Sequence, residues 1–225
     1  MDYRDVPPPP MIPSAADVVR SSESPYNPVE LLALSRKILS QSQTMTELLN
    51  KGQIDRIELP KGWQREDVPQ GDIGSRSLVQ FTTPEAPDAR IAFFYRGLPI
   101  DAQDATLFHD TLEKPPHHLT PTEIKSLRAV LRERANPDAF KTLAAYTEDL
   151  NGKRVLVVQG RYSETQQDLY EVLLDASGDG KAVQEMYFQA PKTQYDRYLS
   201  DAKKTFQSVQ WKPPIEHLLD DHPLI

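Results

Sequence analysis

The sequence predicts an α+β domain, in which an antiparallel sheet of about six or seven strands is flanked by helices and preceded by a disordered N-terminal tail. The sheet is indicated by segments in which apolar and polar residues alternate with a period of two. The pair Asn151-Gly152 lies between two such segments and suits a tight hairpin turn, because both residues tolerate a positive φ. Helical periodicity elsewhere follows good N-cap residues, which predicts the flanking helices.

The N-terminal region is predicted to contain a tail and a helix. Residues 1–26 are rich in proline and serine, a composition that favours extended conformers over packed structure. Asn27 and Pro28 then supply an N-cap and a first-turn proline, and apolar residues recur with an imperfect helical period up to Leu49. We therefore divide the chain into a disordered tail (1–26), an amphipathic helical segment (27–52), an α+β core domain (53–212) and a C-terminal tail (213–225).

The core domain is predicted to hold seven main strands and a closing short one. The four strands of its second half are joined in order by tight turns, and they form an antiparallel meander. The two strands before them are aromatic-rich antiparallel neighbours. The predicted strands are Gln53–Trp63, Ser77–Thr82, Arg90–Arg96, Ala144–Leu150, Lys153–Tyr162, Asp168–Asp175, Ala182–Gln189 and a short strand at Trp211.

The helices of the core domain are predicted from their caps. Asp101 can cap a helix that continues to about Leu112. Thr120 and Glu123 form a capping box around Pro121, ahead of an apolar stripe that reaches Leu131. A short helix carrying Phe140 and Leu143 is predicted after Asn136-Pro137, and a last helix presents Tyr195, Tyr198 and Phe206 on one face.

Four short motifs within Ile57–Trp211 carry a resemblance to a known fold. They are LPKGW (59–63), GDGKAVQEMYFQAP (178–191), YDRYLSDAKKTF (195–206) and SVQW (208–211). In element order and in these motifs the stretch resembles the fold shared by Mog, the photosystem PsbP proteins, DcrB lipoproteins and the Eag chaperones of type VI secretion, and most of all the DcrB/Eag group. The resemblance implies non-enzymatic binding of another protein through a sheet face and its flanking loops.

Composition limits the class of partner. The 225 residues carry a net charge of −7, which argues against a general nucleic-acid binder because such proteins need clustered Lys and Arg. No segment reaches the ~18 apolar residues that a membrane span requires. The chain has no cysteine and no recognisable signal sequence, so we expect a cytoplasmic protein without disulfides. A homodimer is left open.

No catalytic, cofactor or metal signature is complete. Asp175, Ser177, Asp179 and Gly180 match the start of an EF-hand loop, but Met186 stands where a bidentate carboxylate is needed, so we interpret the segment as a hairpin loop. His109, His117 and His118 lie near acidic residues, and His217 and His222 flank Asp220 and Asp221, yet neither group has the spacing of a metal site on one helix face. We expect no cofactor and no enzyme activity.

Candidate binding residues fall in three places. Arg4, Pro7 and Pro10 match the RxxPxxP pattern that aromatic grooves recognise. Leu32 and Ile38 lie on the apolar face of the predicted first helix, and Phe94, Tyr95 and Tyr187 place aromatic side chains on both faces of the sheet, so that at least one face needs a helix or a partner to cover it.

The sequence therefore leads to one main hypothesis and two alternatives. The main one is a protein-binding adaptor or chaperone-like module, associated with secretion on the strength of the resemblance. The alternatives are a structural subunit of a larger assembly and a hydrolase with a dispersed active site. An exposed apolar groove would favour the first, a flat self-complementary patch the second, and a deep polar cleft with histidines and carboxylates the third.

Overall fold

The computed structural model of the chain describes residues 44–66, 78–96 and 99–213. Within these residues, ten strands, four α-helices and one 3₁₀ turn follow one another. They are β1 (Thr44–Lys51), β2 (Ile54–Pro60), β3 (Gln64–Glu66), β4 (Leu78–Thr83), β5 (Ala86–Tyr95), α1 (Ala102–Glu113), α2 (Pro121–Ser126), α3 (Arg128–Leu131), the 3₁₀ turn (Arg132–Ala135), β6 (Phe140–Leu150), β7 (Lys153–Tyr162), β8 (Gln167–Asp175), β9 (Val183–Pro191), α4 (Lys192–Gln207) and β10 (Gln210–Trp211).

The main sheet has seven antiparallel strands in the order β3-β4-β5-β9-β8-β7-β6, which confirms the predicted fold class. The meander of β6 to β9 is also confirmed. Asn151 (φ 48°) and Gly152 (φ 81°) make the tight turn between β6 and β7, as their residue types predict. β5 joins the meander by pairing with β9, so the long connection that holds α1 to α3 links β5 to the far edge strand β6.

The first face of the main sheet is covered by α4 and by a small sheet of order β1-β2-β10. Aromatic rings fill this interface: Trp63 packs edge-on against Phe188 and Tyr198, and Phe206 contacts Phe93 and Tyr170. The closing helix and the short strand at Trp211 were predicted, and both are confirmed. Burial of this aromatic face is the main source of stability on this side of the sheet.

The second face is covered by α1, α2 and α3. Asp101 caps α1, and Thr120 and Glu123 form the predicted capping box of α2, whose helix breaks at Leu127 before α3 begins. The apolar cluster under these helices draws on β6, β7, β8 and β9 but includes no described residue of β4 or β5. Leu78 and Phe94, on the β4–β5 half of this face, are only half-buried. No helix in the described part of the chain is long and apolar enough to cross a membrane.

Two helix predictions are wrong. The first helix was expected to reach Leu49, but Thr44–Lys51 is strand β1, which forms a hairpin with β2. The short helix predicted after Asn136 is a single turn, in which Phe140 N–H donates to the Asn136 carbonyl, and Leu143 lies in strand β6. In both cases pairing with a neighbouring strand outweighs a local helical pattern. The predicted tail and the remainder of the first helix lie outside the described residues.

Candidate functional site

Two carboxylates and two guanidinium groups form a buried charged cluster on the second face of the sheet. Glu171 on β8 and Glu185 on β9 lie within strands that are buried along most of their length, and both carboxylates are buried. Arg96, directly after β5, donates from Nε to Glu185 Oε1 at 2.5 Å and also donates to the carbonyls of Ala129 and Val130 in α3. The cluster therefore ties the end of β5 to the helical layer.

Arg134 completes the cluster from the 3₁₀ turn. Its Nε donates to Glu171 Oε2 at 2.8 Å, and its Nη2 donates to Glu171 Oε1 and, at 3.3 Å, to Glu185 Oε2. The side chain is 10 % exposed, so a charge that would be costly to bury alone is compensated by two carboxylates. We call Arg96, Arg134, Glu171 and Glu185 the charged cluster.

Burial shifts the pKa values of this cluster. It raises the pKa of Glu171 to about 7, with Arg134 opposing the shift and Glu185 adding to it. For Arg134, burial lowers the pKa but the Glu171 and Glu185 carboxylates outweigh it, so the net pKa is raised. Burial also raises the pKa of the adjacent Tyr187 to about 12, which keeps its hydroxyl protonated near neutral pH.

A cavity of about 260 Å³ lies over the charged cluster. Phe94, Tyr162 and Tyr187 give it an aromatic lining, and Arg134 forms part of its base. The full lining among the described residues is Leu78, Phe94, Arg134, Tyr162, Leu169, Glu171, Glu185, Tyr187 and Gln189. The cavity therefore combines apolar rings with a rigid, internally paired set of charges.

A second, larger cavity of about 820 Å³ adjoins the first. Tyr162 and Gln189 line both cavities. The larger one carries three exposed carboxylates, those of Glu133, Asp138 and Glu164, and none of them forms an ion pair within the described part of the chain. We call the two adjoining cavities the groove: it has an aromatic end and an acidic end.

The aromatic end of the groove has none of the side chains that act as nucleophile or base in serine and cysteine hydrolases among its described lining residues. None of the described residues that line it is a serine, threonine, cysteine or histidine. Both oxygens of Glu171 accept hydrogen bonds from Arg134, so this carboxylate is held by its partner and not presented to a ligand.

Two of the predicted binding residues meet in the groove. Phe94 and Tyr187 both line its aromatic end, although 93 positions separate them in the sequence. Strand alternation puts Tyr95 on the opposite face, where it pairs with Gln184. The remaining predicted binding residues, Arg4, Pro7, Pro10, Leu32 and Ile38, lie outside the described residues.

The histidines near α1 do not converge. His109 faces the Asp175 carboxylate with Nδ1 3.5 Å from Oδ2, His117 Nδ1 is 2.9 Å from the Pro115 carbonyl, and the His118 ring packs on Tyr146. Among the described residues, no group of three or more histidine or acidic side chains is arranged to hold a metal ion. His217 and His222, with Asp220 and Asp221, lie outside that part of the chain.

The EF-hand-like segment is a hairpin loop between β8 and β9, as the sequence predicted. The Asp175 carboxylate accepts hydrogen bonds from the backbone N–H groups of Ser177, Gly178 and Gly180. Because its oxygens serve the loop's own backbone, this carboxylate stabilises the turn.

Sequence reasoning missed all four members of the charged cluster. The sequence signal for it was a glutamate inside each of two mainly apolar strand segments, Glu171 and Glu185, because carboxylates are almost never fully buried unless they are paired. Their arginine partners could not be located from sequence, because Arg96 and Arg134 lie 89 and 37 residues from the carboxylates that they contact.

Known structures share the fold of this chain. The solution structure of cyanobacterial PsbP (CyanoP) from Synechocystis sp. PCC 6803 matches 76% of this chain and 94% of its own, with a TM-score of 0.50 and 14% sequence identity. The fold of this chain is PsbP-like. That confirms the broader part of the resemblance inferred from sequence, whereas the narrower likeness to DcrB and Eag proteins is not shown.

Other structures with lower TM-scores match a similar share of the chain. LpqN of Mycobacterium tuberculosis, described as involved in cell envelope biogenesis, covers 79% of it at 14% identity and a TM-score of 0.43. PA94 of Pseudomonas aeruginosa, a protein of unknown function, covers 77% at 11% identity and a TM-score of 0.41. No protein-family model and no curated protein sequence matches the chain. The PsbP-like fold therefore describes the architecture alone, because one fold hosts many functions.

Proposed function

We propose that this chain is a non-enzymatic protein-binding module that holds a segment of another protein in the groove. The observation that carries the proposal is that Phe94 and Tyr187, two half-buried aromatic residues, line one cavity over the charged cluster. Aromatic side chains next to well-anchored polar groups are the usual composition of interface hot spots.

The partner segment that fits the groove carries an apolar side chain next to lysine or arginine. The aromatic end offers Phe94, Tyr187 and Leu78 to an apolar group. The acidic end offers Glu133, Asp138 and Glu164, and their charge favours a basic residue. The two ends of the groove adjoin at Tyr162 and Gln189, because these residues line both cavities.

The alternatives receive less support. A hydrolase of the serine type would need a hydroxyl close to an imidazole. The described lining of the aromatic end contains neither, and the acidic end has the hydroxyls of Ser163 and Thr165 but no described histidine beside them. A concave groove also differs from the flat, self-complementary patch expected of a structural subunit. An adaptor or chaperone-like role in the cytoplasm, associated with secretion, is the finer form of the proposal, and it rests on the sequence resemblance to Eag chaperones.

Selection from a random peptide library on the immobilised full chain tests the proposal. We expect the selected peptides to combine an apolar residue with a nearby lysine or arginine. Phe94→Ser and Tyr187→Ser should each weaken their binding by about tenfold or more, the effect of losing a hot-spot residue. Affinity purification from the native host should likewise yield a stoichiometric partner with the unaltered chain and not with the double variant.

Leu143→Ser is the matched control. Leu143 is 69% exposed on β6 and does not line the groove, so its substitution removes a comparable apolar side chain without touching the proposed site. Peptide binding that survives in the Phe94→Ser, Tyr187→Ser double variant would contradict the proposal. Turnover of an ester by the purified chain would favour the hydrolase.

A further inference from the structure

The segment from Glu133 to Lys141 separates the groove from a third cavity. Glu133 and Asp138 line the acidic end of the groove and Lys141 lines the third cavity, whereas Arg134 lines both the third cavity and the aromatic end of the groove. This third cavity has a volume of about 580 Å³, within the range of small-molecule sites in proteins. Neighbouring parts of one short segment therefore line cavities of opposite charge.

The lining of the third cavity combines apolar side chains with positively charged ones. Its apolar part comes mainly from two prolines, one isoleucine and one phenylalanine, and three cations complete it. The lining residues among those described are Pro121, Ile124, Lys125, Arg134, Ala135, Pro137, Phe140, Lys141 and Thr142. No carboxylate occurs in this set, so the cavity differs in charge from both ends of the groove.

The three cations are available to an anion to different degrees. Lys125 and Lys141 are exposed, and neither forms an ion pair with another described residue. Arg134 is nine-tenths buried, and its hydrogen bonds use Nε and Nη2. Its Nη1 has no hydrogen-bond partner in the described part of the chain. A buried guanidinium with one free nitrogen and two unpaired lysines provides a strong preference for negative charge.

We infer that the third cavity is a binding site for a small organic anion with an apolar body, of the chemical class of aliphatic carboxylates. The apolar body would contact Ile124, Pro137 and Phe140, and the carboxylate would be held by Lys125, Lys141 and Arg134. This site is separate from the groove and does not depend on the proposed protein-binding function.

An extended peptide is a poorer fit to this position. Further along β6 from the cavity, the outer edge is already occupied, because Leu119 N–H donates to the Ala145 carbonyl and Thr147 N–H donates to the His117 carbonyl. The cavity itself borders only residues 140–142 of β6, a stretch that is too short for a strand to be added along it.

Titration calorimetry with decanoate on the full chain tests the inference, with decanol and decyltrimethylammonium as neutral and cationic probes of the same chain length. We expect decanoate to bind about tenfold more tightly than decanol, and the cation not to bind, because charge-assisted hydrogen bonds form only with the anion. Lys125→Gln, Lys141→Gln and the double variant should reduce the preference for decanoate stepwise.

Lys61→Gln, in the exposed turn between β2 and β3, is the control and should bind decanoate as the unaltered chain does. All substituted lysines are exposed, so the variants are expected to fold, and circular dichroism checks this. Equal affinity for decanoate and decanol would overturn the inference, and so would an unchanged preference in the double lysine variant. Displacement of decanoate by a synthetic peptide of residues 214–225 would overturn it as well, by assigning the cavity to the chain's own C-terminal segment.

Discussion

Arg134 Nε lies 2.8 Å from Glu171 Oε2, and Arg134 Nη2 donates to the other oxygen of the same carboxylate. This two-point contact joins the 3₁₀ turn after α3 to the centre of strand β8. It also fixes the turn between the groove and the third cavity, because Arg134 lines both. The position of both sites thus depends on one buried ion pair.

Removing one partner of this pair should be more damaging than removing both. Arg134→Met leaves the Glu171 charge buried without its partner and should lower the free energy of unfolding by about 3–5 kcal/mol. The double variant Arg134→Met, Glu171→Met should recover most of this loss, because Arg96 still compensates Glu185. Urea denaturation of the single and double variants measures the difference.

The exposed pair Lys192–Asp196 supplies a control for this comparison. Both side chains are more than half exposed, so Lys192→Met should change the stability little. A double variant no more stable than Arg134→Met would show that the cost comes from lost packing of the side chains and not from an uncompensated charge.

The raised pKa of Glu171 predicts a pH dependence of stability near neutrality. Because burial raises its pKa from 4.5 to about 7, the folded chain binds this proton more tightly than the unfolded chain. The resulting stability is fully present below the unfolded pKa and is lost as the pH rises through about 7. Thermal melting from about pH 5 to about pH 8 should show this loss in the unaltered chain and a flatter profile in Glu171→Gln.

Glu164→Gln is the control for this titration, because Glu164 is exposed at the acidic end of the groove. It should leave the shape of the melting profile unchanged. Parallel profiles for the unaltered chain and Glu171→Gln would show that Glu171 does not take up a proton in this range.

The order of elements was predictable from sequence because turns and caps are local. Asn151-Gly152 and the box of Thr120 and Glu123 each act over a few residues, and both occupy the predicted positions. The errors at Thr44–Lys51 and at residues 140–143 share one cause: the partner strand that fixes the conformation is supplied by tertiary structure, through β2 for the first and β7 for the second.

The candidate site was predictable only in its aromatic part. Alternation along the strands predicted aromatic side chains on both faces of the sheet, and the β5–β9 register then puts Phe94 and Tyr187 on the same face. Neither the acidic end of the groove nor the third cavity has a local signature. Both depend on how the segment after α3 crosses the sheet, which is decided by contacts of Arg134 with distant strands.

Backbone strain at Arg132 yields a further prediction. Arg132 adopts φ 54° and ψ −125° where α3 gives way to the 3₁₀ turn, a combination that glycine favours. Such strain costs about 1–3 kcal/mol, while glycine loses about 0.5–1 kcal/mol more than alanine in chain entropy. Arg132→Gly should therefore raise the free energy of unfolding by about 1 kcal/mol in urea denaturation, and Arg132→Ala, which keeps the strain, should not. A loss of stability in Arg132→Gly would show that the turn is not strained.

Two glycines in the loop between β8 and β9 provide a matched test of how that loop packs on α1. Gly178 and Gly180 have nearly the same backbone conformation, φ 80° and φ 78°. A Cβ at Gly178 meets nothing within 4 Å, whereas a Cβ at Gly180 would lie 2.0 Å from the Ala105 carbonyl oxygen of α1. An alanine would therefore have the same conformational cost at both positions, whereas a steric clash would occur only at Gly180.

Gly178→Ala should lower the free energy of unfolding by about 1–2 kcal/mol, the cost of placing an alanine in the left-handed region. Gly180→Ala should cost about 1–3 kcal/mol more, because either the loop or the backbone of α1 must move to relieve the overlap. Urea denaturation of the two variants measures the difference directly. Equal losses of stability in the two variants would show that the loop does not pack against Ala105. The β8–β9 hairpin would then not contact the helical layer at this point.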